Sequence, residues 1–172
     1  MEYLIIDGYN VIGNWPELKR LSAASLEDAR EKLVEILAEY QAFTGKQIII
    51  VFDAYRSKGR KETENRPGIE IRYTEHGQTA DTLIESLAAQ LSPRHAVGVV
   101  TSDWAQQQIV MGKGARRWSS REFRLEVHKV AGEISNAAGR TATDRPAVDL
   151  AARINEKSRQ KLENIIGKNR KS

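Results

Sequence analysis

Three apolar runs in this chain each end on an aspartate. Tyr3 to Ile6 closes on Asp7, Gln47 to Phe52 closes on Asp53, and Ala96 to Thr101 runs through Ser102 into Asp103. Short continuous runs of Ile, Leu and Val are the pattern of strands buried on both faces, as in a parallel sheet. One such strand ending in Asp-Gly is explained equally well by a turn, with the carboxylate capping the next backbone amides. Three are not, because parallel strands bring their C-terminal ends to one edge, where α/β sheets hold their ligands. The expected class is α/β with a mainly parallel sheet and converging strand-end carboxylates.

The segments between the runs supply crossover helices. Asn14-Trp15-Pro16 reads as a loop, after which Ser25 and Asp28 resemble a capping box. Leu26, Ala29, Leu33, Ile36, Leu37 and Tyr40 then share a helical face that Gly45 ends. Ile69 to Tyr73 alternates like a strand near a sheet edge. Thr79 is the expected N-cap of a helix buried through Ala80, Leu83, Ile84, Leu87, Ala88 and Leu91. That helix starts at the same edge as the strand-end acids, so Asp81 in its first turn becomes a fourth candidate carboxylate, with Glu85 one turn further on.

Trp104 to Met111 reads as a short helix stopped by Gly112-Lys-Gly114, which lacks the spacing of a phosphate loop. Ala115 to Trp118 is an expected fifth strand, and Ser119 with Glu122 a second capping box. Phe123, Val127, Val130, Ala131 and Ile134 form the buried face of the next helix. Residues 138–146 are expected to be a linker, dividing a domain at 1–146 from a basic helical tail at 147–172.

Charge is segregated along the chain. The net +4 resolves into +5 for residues 151–172 and about −1 for the rest, which suggests an acidic partner and nucleic acid before membrane. The segment from Tyr55 to Gly68 is polar and basic and reads as a mobile loop leaving the acidic edge. Its Arg56, Lys58, Arg60 and Lys61 stand where a bound polyanion would run, and Arg121 and Arg124 return to that edge at the start of the last helix. The chain has no cysteine, no membrane-length apolar stretch and no secretory pattern at its N-terminus, which fits a cytoplasmic protein. A monomer is expected.

Four acids at one edge repel, and a divalent cation relieves that repulsion. Oxygen-only ligands suit Mg²⁺ or Mn²⁺, held by carboxylates, waters and substrate phosphate. Such a site activates water for in-line displacement and needs no Ser or His nucleophile. Accordingly there is no GxSxG elbow, and His76, His95 and His128 lack metal-ligand spacing. The phosphoaspartate-forming pattern lacks its second Asp, and a receiver-like site lacks its late-strand Lys. Tyr9, Trp15, Tyr55 and Trp104 lie in or beside the edge loops, where each serves either packing or base stacking.

DGYNVIG at 7–13, VFDA at 51–54, TAD at 79–81 and TSD at 101–103 together resemble the YacP-like branch of the NYN domain family, relatives of PIN nucleases. The resemblance covers roughly residues 1–150. It implies a PIN-like three-layer α/β/α fold, metal-dependent endoribonuclease activity, and association with the ribosome and translated mRNA. Matching positions make Asp7 and Asp81 catalytic, with Asp53 and Asp103 completing the pocket and Asn10 orienting a ligand or water. Asp7, Asp81 and Asp103 are the expected ligands of Mg²⁺ or Mn²⁺. Two other classes compete: a non-catalytic ribosome- or RNA-binding module whose acids are structural, and a hydrolase of small phosphoesters.

Overall fold

The computed structural model describes residues 1–57 and 63–143. Six strands form one sheet: β1 (Glu2–Asp7), β2 (Gln47–Phe52), β3 (Thr63–Arg66), β4 (Ile69–Tyr73), β5 (Ala96–Val100) and β6 (Arg116–Trp118). Their order is β3-β4-β2-β1-β5-β6, and all neighbours run parallel except β3, which pairs antiparallel with β4. From β1 the chain builds outward through β2 to β4, then crosses back to place β5 and β6 on the other side. The order therefore reverses beside β1. In open α/β sheets the crevice outside the strand ends at such a reversal is the ligand site, and here it lies among the ends of β1, β2 and β5.

Three helices separate β1 from β2: α1 (Gly8–Asn14), α2 (Pro16–Ala24) and α3 (Leu26–Thr44). They cover one face of the sheet, joined there by the start of α6 (Ser120–Thr143), whose Phe123 packs against Trp15 and Tyr40. The other face is covered by α4 (Ala80–Leu91) and α5 (Trp104–Gly112). Crossovers on opposite faces are what right-handed βαβ connections require when the chain extends first to one side of β1 and then to the other. The result is the α/β/α sandwich expected.

Strand alternation divides the core in two. Ile5, Ile49, Val51, Val97 and Val99 pack with Ile84, Leu87, Ala88 and Val110. Leu4, Ile6, Ile48, Ile50 and Phe52 point the other way and are equally buried, as are Leu33, Leu37 and Phe123. Both faces are apolar, so the inner strands read as unbroken hydrophobic runs. The caps behave as expected: Ser25 accepts from the Asp28 N–H at 3.1 Å, and Gly45 ends α3 with φ 70°. Ser119 and Glu122 bond reciprocally, at 2.8 and 3.0 Å.

Four expectations are corrected. The stretch read as a loop around Trp15 is the junction of α1 and α2; Trp15 is 1% exposed and Pro16 opens α2 at a position where its missing N–H costs nothing. Within the presumed loop, Thr63–Arg66 forms edge strand β3, turning back through Pro67-Gly68. Ala131 is exposed and does not belong to the buried face of α6. Finally α6 continues to Thr143, through the start of the expected linker.

The chain divides into Met1–Ala131, which contains the sheet and the acidic edge, and Gly132–Ser172, whose described residues are helical. The boundary expected at 146/147 and the basic tail fall outside the described residues. Among the described residues no helix is long and apolar enough to cross a membrane.

Candidate active site

The DGYN stretch builds the centre of the site. Asp7 ends β1 and Gly8 begins α1 directly, so the backbone turns within one peptide unit. A Cβ on Gly8 would collide with the buried Phe52 ring at the end of β2, which accounts for the glycine. Tyr9 packs on Phe52 with ring centroids 5.0 Å apart, and its hydroxyl shares a hydrogen bond with Ser57 while accepting one from Arg30 at 3.0 Å. Asn10 Oδ1 accepts from the Ser102 N–H at 2.8 Å and from Ser120 Oγ at 2.7 Å, and Ser102 Oγ accepts from the Ser120 N–H at 3.2 Å. One amide oxygen thus ties together the segments after β1, β5 and β6. Asn10 is a positioning residue.

The remaining acids occupy turn positions. Asp53 caps a short 3₁₀ turn, Ala54–Arg56, through the Tyr55 N–H at 2.9 Å. Asp103 caps α5 through the Gln106 N–H at 3.1 Å. Asp81 lies in the first turn of α4, after Thr79, whose hydroxyl caps that helix through the Thr82 N–H at 3.2 Å. Thr101 links two of the strand ends: its hydroxyl accepts from the Asp103 N–H at 3.2 Å and donates toward Asp7 Oδ2 at 3.5 Å.

Electrostatics joins these four acids into one cluster. Burial pushes the Asp7 carboxyl from 3.8 to about 6, with the Asp81 charge adding to the rise and Asp103 contributing less; the Asn10 backbone amide and the Thr101 hydroxyl partly oppose it. Asp81 is also raised, first by desolvation and then by Asp103 and Asp53. Asp7 and Asp81 are thus both pushed up by neighbouring carboxylates, the situation that a bound cation relieves.

The donor set fits a hard divalent ion. All four groups offer oxygen. Gln106 is 2% exposed and its side chain faces Asp81, favouring that carboxylate's charge, while neither amide atom completes a hydrogen bond of ordinary geometry within the protein. A buried amide so incompletely satisfied leaves room for an ion or its waters. Among the described residues no three Asp, Glu or His side chains form a ready-made metal cage, so Asp7, Asp81 and Asp103 do not stand as a closed ligand triad. Mg²⁺ does not need one, since it keeps several waters and takes one or two carboxylates plus substrate phosphate.

The basic candidates divide. Arg56 is exposed at the acidic edge, its guanidinium 5.7 Å from the Tyr9 ring centre. Lys58, Arg60 and Lys61 fall outside the described residues. Arg121 is exposed in the first turn of α6, whereas Arg124 is engaged by Glu17 of α2 at 3.1 Å. Of the aromatics, Trp15 is core and donates to the Ser120 carbonyl at 2.8 Å, while Tyr55 and Trp104 are 85% and 72% exposed beside Asp53 and Asp103. Sequence reasoning missed Arg30 and Gln106. The signal for Arg30 was a cation next to Ala29 in an apolar helical stripe; for Gln106 it was the position three residues after a capping aspartate.

An α/β/α domain with aspartates gathered at the switch point of a mostly parallel sheet is the architecture of PIN-like nucleases. Within that class the chain belongs to the YacP-like NYN domain family, whose model matches residues 4–167 and so reaches past the 1–150 carried by the motifs. It is 40% identical over 152 residues to the protein YacP of Bacillus subtilis (strain 168), covering 88% of this chain and 89% of that one. The crystal structure of Rae1 (YacP) from Bacillus subtilis matches with a TM-score of 0.75 at 38% identity, over 95% of this chain and 93% of that chain. A single-substitution variant of that protein matches at 0.73 and 38%, over 84% and 86%. Family membership supports a nuclease-type, RNA-related function, and nucleases of this kind typically depend on a divalent metal.

Proposed function

We propose that this chain is a Mg²⁺- or Mn²⁺-dependent endoribonuclease that cuts mRNA, with the translating ribosome as its working partner. The observation that carries the reading is the raised carboxyls of Asp7 and Asp81 at the sheet's switch point, Asp7 lifted by burial and by Asp81, and Asp81 by burial and by Asp103 and Asp53. Asp7 and Asp81 hold the ion, and Asp53 and Asp103 complete the negative field around it. When bound, the ion supplies a water of lowered pKa and offsets charge on the scissile phosphate. Asn10 keeps the segments after β1, β5 and β6 in register, and Arg56, Lys58, Arg60, Lys61 and Arg121 grip flanking phosphates. Arg124 contributes only if its Glu17 pair opens.

Attack by an external water breaks the bond to the 3′ oxygen and leaves 5′-phosphate and 3′-hydroxyl ends. The test maps RNA ends on a translated mRNA incubated with Mg²⁺ and either the unaltered protein or Asp81→Asn, beside the same RNA without ribosomes. Cuts by the unaltered protein alone, during translation alone, are the expected result. Equal cutting of naked RNA removes the ribosome from the proposal, and 2′,3′-cyclic phosphate ends overturn the metal-water chemistry. A second reading, a non-catalytic ribosome- or RNA-binding module, is favoured by one observation: Asp53 and Asp103 each spend a carboxylate oxygen on a local cap. It requires that Asp81→Asn leave the biological effect intact.

A further inference from the structure

A cleft of about 620 Å³ opens beside Asp53, between the Ala54–Arg56 turn and the segment leading into α4. Its walls include Asp53, Tyr55, Glu75, His76, Gln78 and Thr79. We propose that this cleft is a nucleobase subsite, seating the base of a nucleotide next to the scissile phosphate. The proposal rests on the ribonuclease reading for its substrate class, but its geometry is separate from the metal chemistry.

Volume places the cleft in the range that takes small organic ligands. Its walls say which kind. Asp53 and Glu75 are carboxylates and disfavour a phosphate inside the cleft, so the occupant is not an anion, and the exposed ring beside them points to a flat, uncharged group. Tyr55 is 85% exposed, leaving a ring with almost no protein packing, and an exposed aromatic beside an RNA path is a stacking platform. The opposite wall is a turn closed by the Gln78 N–H to the Glu75 carbonyl at 3.0 Å, with Gly77 at φ 87°. Gln78 Oε1 accepts from the Glu75 N–H at 3.4 Å, which leaves its amide nitrogen to donate to a ligand. A flat ring with hydrogen-bonding edges satisfies both walls.

Position ties the cleft to the chemistry. Asp53 belongs to the acidic cluster, and Thr79 is the cap of the helix that carries Asp81. A base held between Tyr55 and Gln78 therefore sets its own sugar-phosphate against Asp53 and Asp81. The subsite would select the nucleotide beside the cut, through stacking on Tyr55 and edge contacts to Gln78 and His76.

The test uses the full chain carrying Asp81→Asn, Mg²⁺, and short RNAs with 2-aminopurine placed at each position in turn. Stacking quenches this base, so quenching at one position is expected. Adding Tyr55→Ala should abolish it and weaken binding by about 5- to 100-fold, whereas Tyr55→Phe should retain both. With Asp81 restored, Gln78→Ala should broaden the base distribution at the cuts. Quenching that is absent, equal at every position, or indifferent to Tyr55→Ala overturns the subsite. If the unaltered protein cuts RNA while Tyr55→Ala changes neither quenching nor cut distribution, the subsite fails and the nuclease stands. If Tyr55-dependent quenching persists while the unaltered protein cuts neither naked nor translated RNA, the nuclease reading fails and the base site stands.

Discussion

Asp7 is held where the fold disfavours its charge. Burial first, and Asp81 next, lift its carboxyl from 3.8 to about 6, so the folded chain keeps a proton that the unfolded chain releases at lower pH. Stability attributable to this group is present below about pH 4, falls as pH rises to about 6, and by neutrality about 3 kcal/mol has been lost. Asp7→Asn should remove that penalty and abolish cleavage together. Thermal unfolding should show a Tm several degrees higher at pH 7 and little change at pH 4; equal Tm values at pH 7 would mean that the carboxyl is well solvated. Gln106 poses the same trade: Gln106→Leu removes two buried amide atoms that complete no hydrogen bond of ordinary geometry, together with the contact that favours the Asp81 charge, so it should raise the Asp81 carboxyl further and stabilise the fold by at most about 1–2 kcal/mol in denaturant unfolding. It should also weaken the Mn²⁺-induced rise in Tm, if the amide serves the hydrated ion. Asp7 was legible in the sequence because an apolar run ended on it. Gln106 was not, because its place three residues after Asp103 marks a helix start but does not say that the glutamine is buried.

At the scale of elements, α1 is the joint on which the site turns. Val11 and Ile12 bury one side of it while Asn10 reaches across to the segments after β5 and β6. Asn10→Ala leaves the Ser102 N–H and Ser120 hydroxyl without their acceptor and should cost about 1–3 kcal/mol. Catalysis should fall further than stability does, at a temperature where circular dichroism shows the variant folded, because Asp7 at the end of β1 and Asp103 after β5 lose their common reference. Gly8→Ala should destabilise by about 1–3 kcal/mol through its clash with Phe52, an overpacking effect visible in the unfolding midpoint. The helices with long apolar faces, α3 and α4, were readable from periodicity and caps. Short α5 was read as well, but α1 and α2 were not: GYNVIGN contains two glycines and two asparagines, poor helix formers, and becomes a helix because tertiary packing overrides propensity. Strand β3 escaped for the opposite reason, since Thr-Glu-Asn-Arg at a sheet edge buries nothing and leaves no hydrophobic pattern.

At the scale of the molecule, the acids and the bases work on the same polyanion in opposite senses. The first 150 residues are near neutral but gather four aspartates at the switch point, while Arg56 stands exposed just after β2 and Lys58, Arg60 and Lys61 follow it in the sequence. RNA can approach the aspartates only if the basic loop outweighs them or a divalent ion neutralises them. In Asp81→Asn protein the repulsion is reduced, so binding of labelled RNA can be followed by fluorescence polarisation without cleavage. Each phosphate contact to a single strand contributes a slope of about −0.7 in log affinity against log salt. Replacing Arg56, Lys58, Arg60 and Lys61 by Gln should therefore flatten that slope by up to about 3, and weaken binding most at low salt. The same replacements should leave Tm within about a degree, since Arg56 is exposed and surface changes of this kind move stability little. An unchanged slope would take the phosphate grip away from this loop and assign it to the seven Lys and Arg of residues 151–172, whose replacement would then flatten the slope instead.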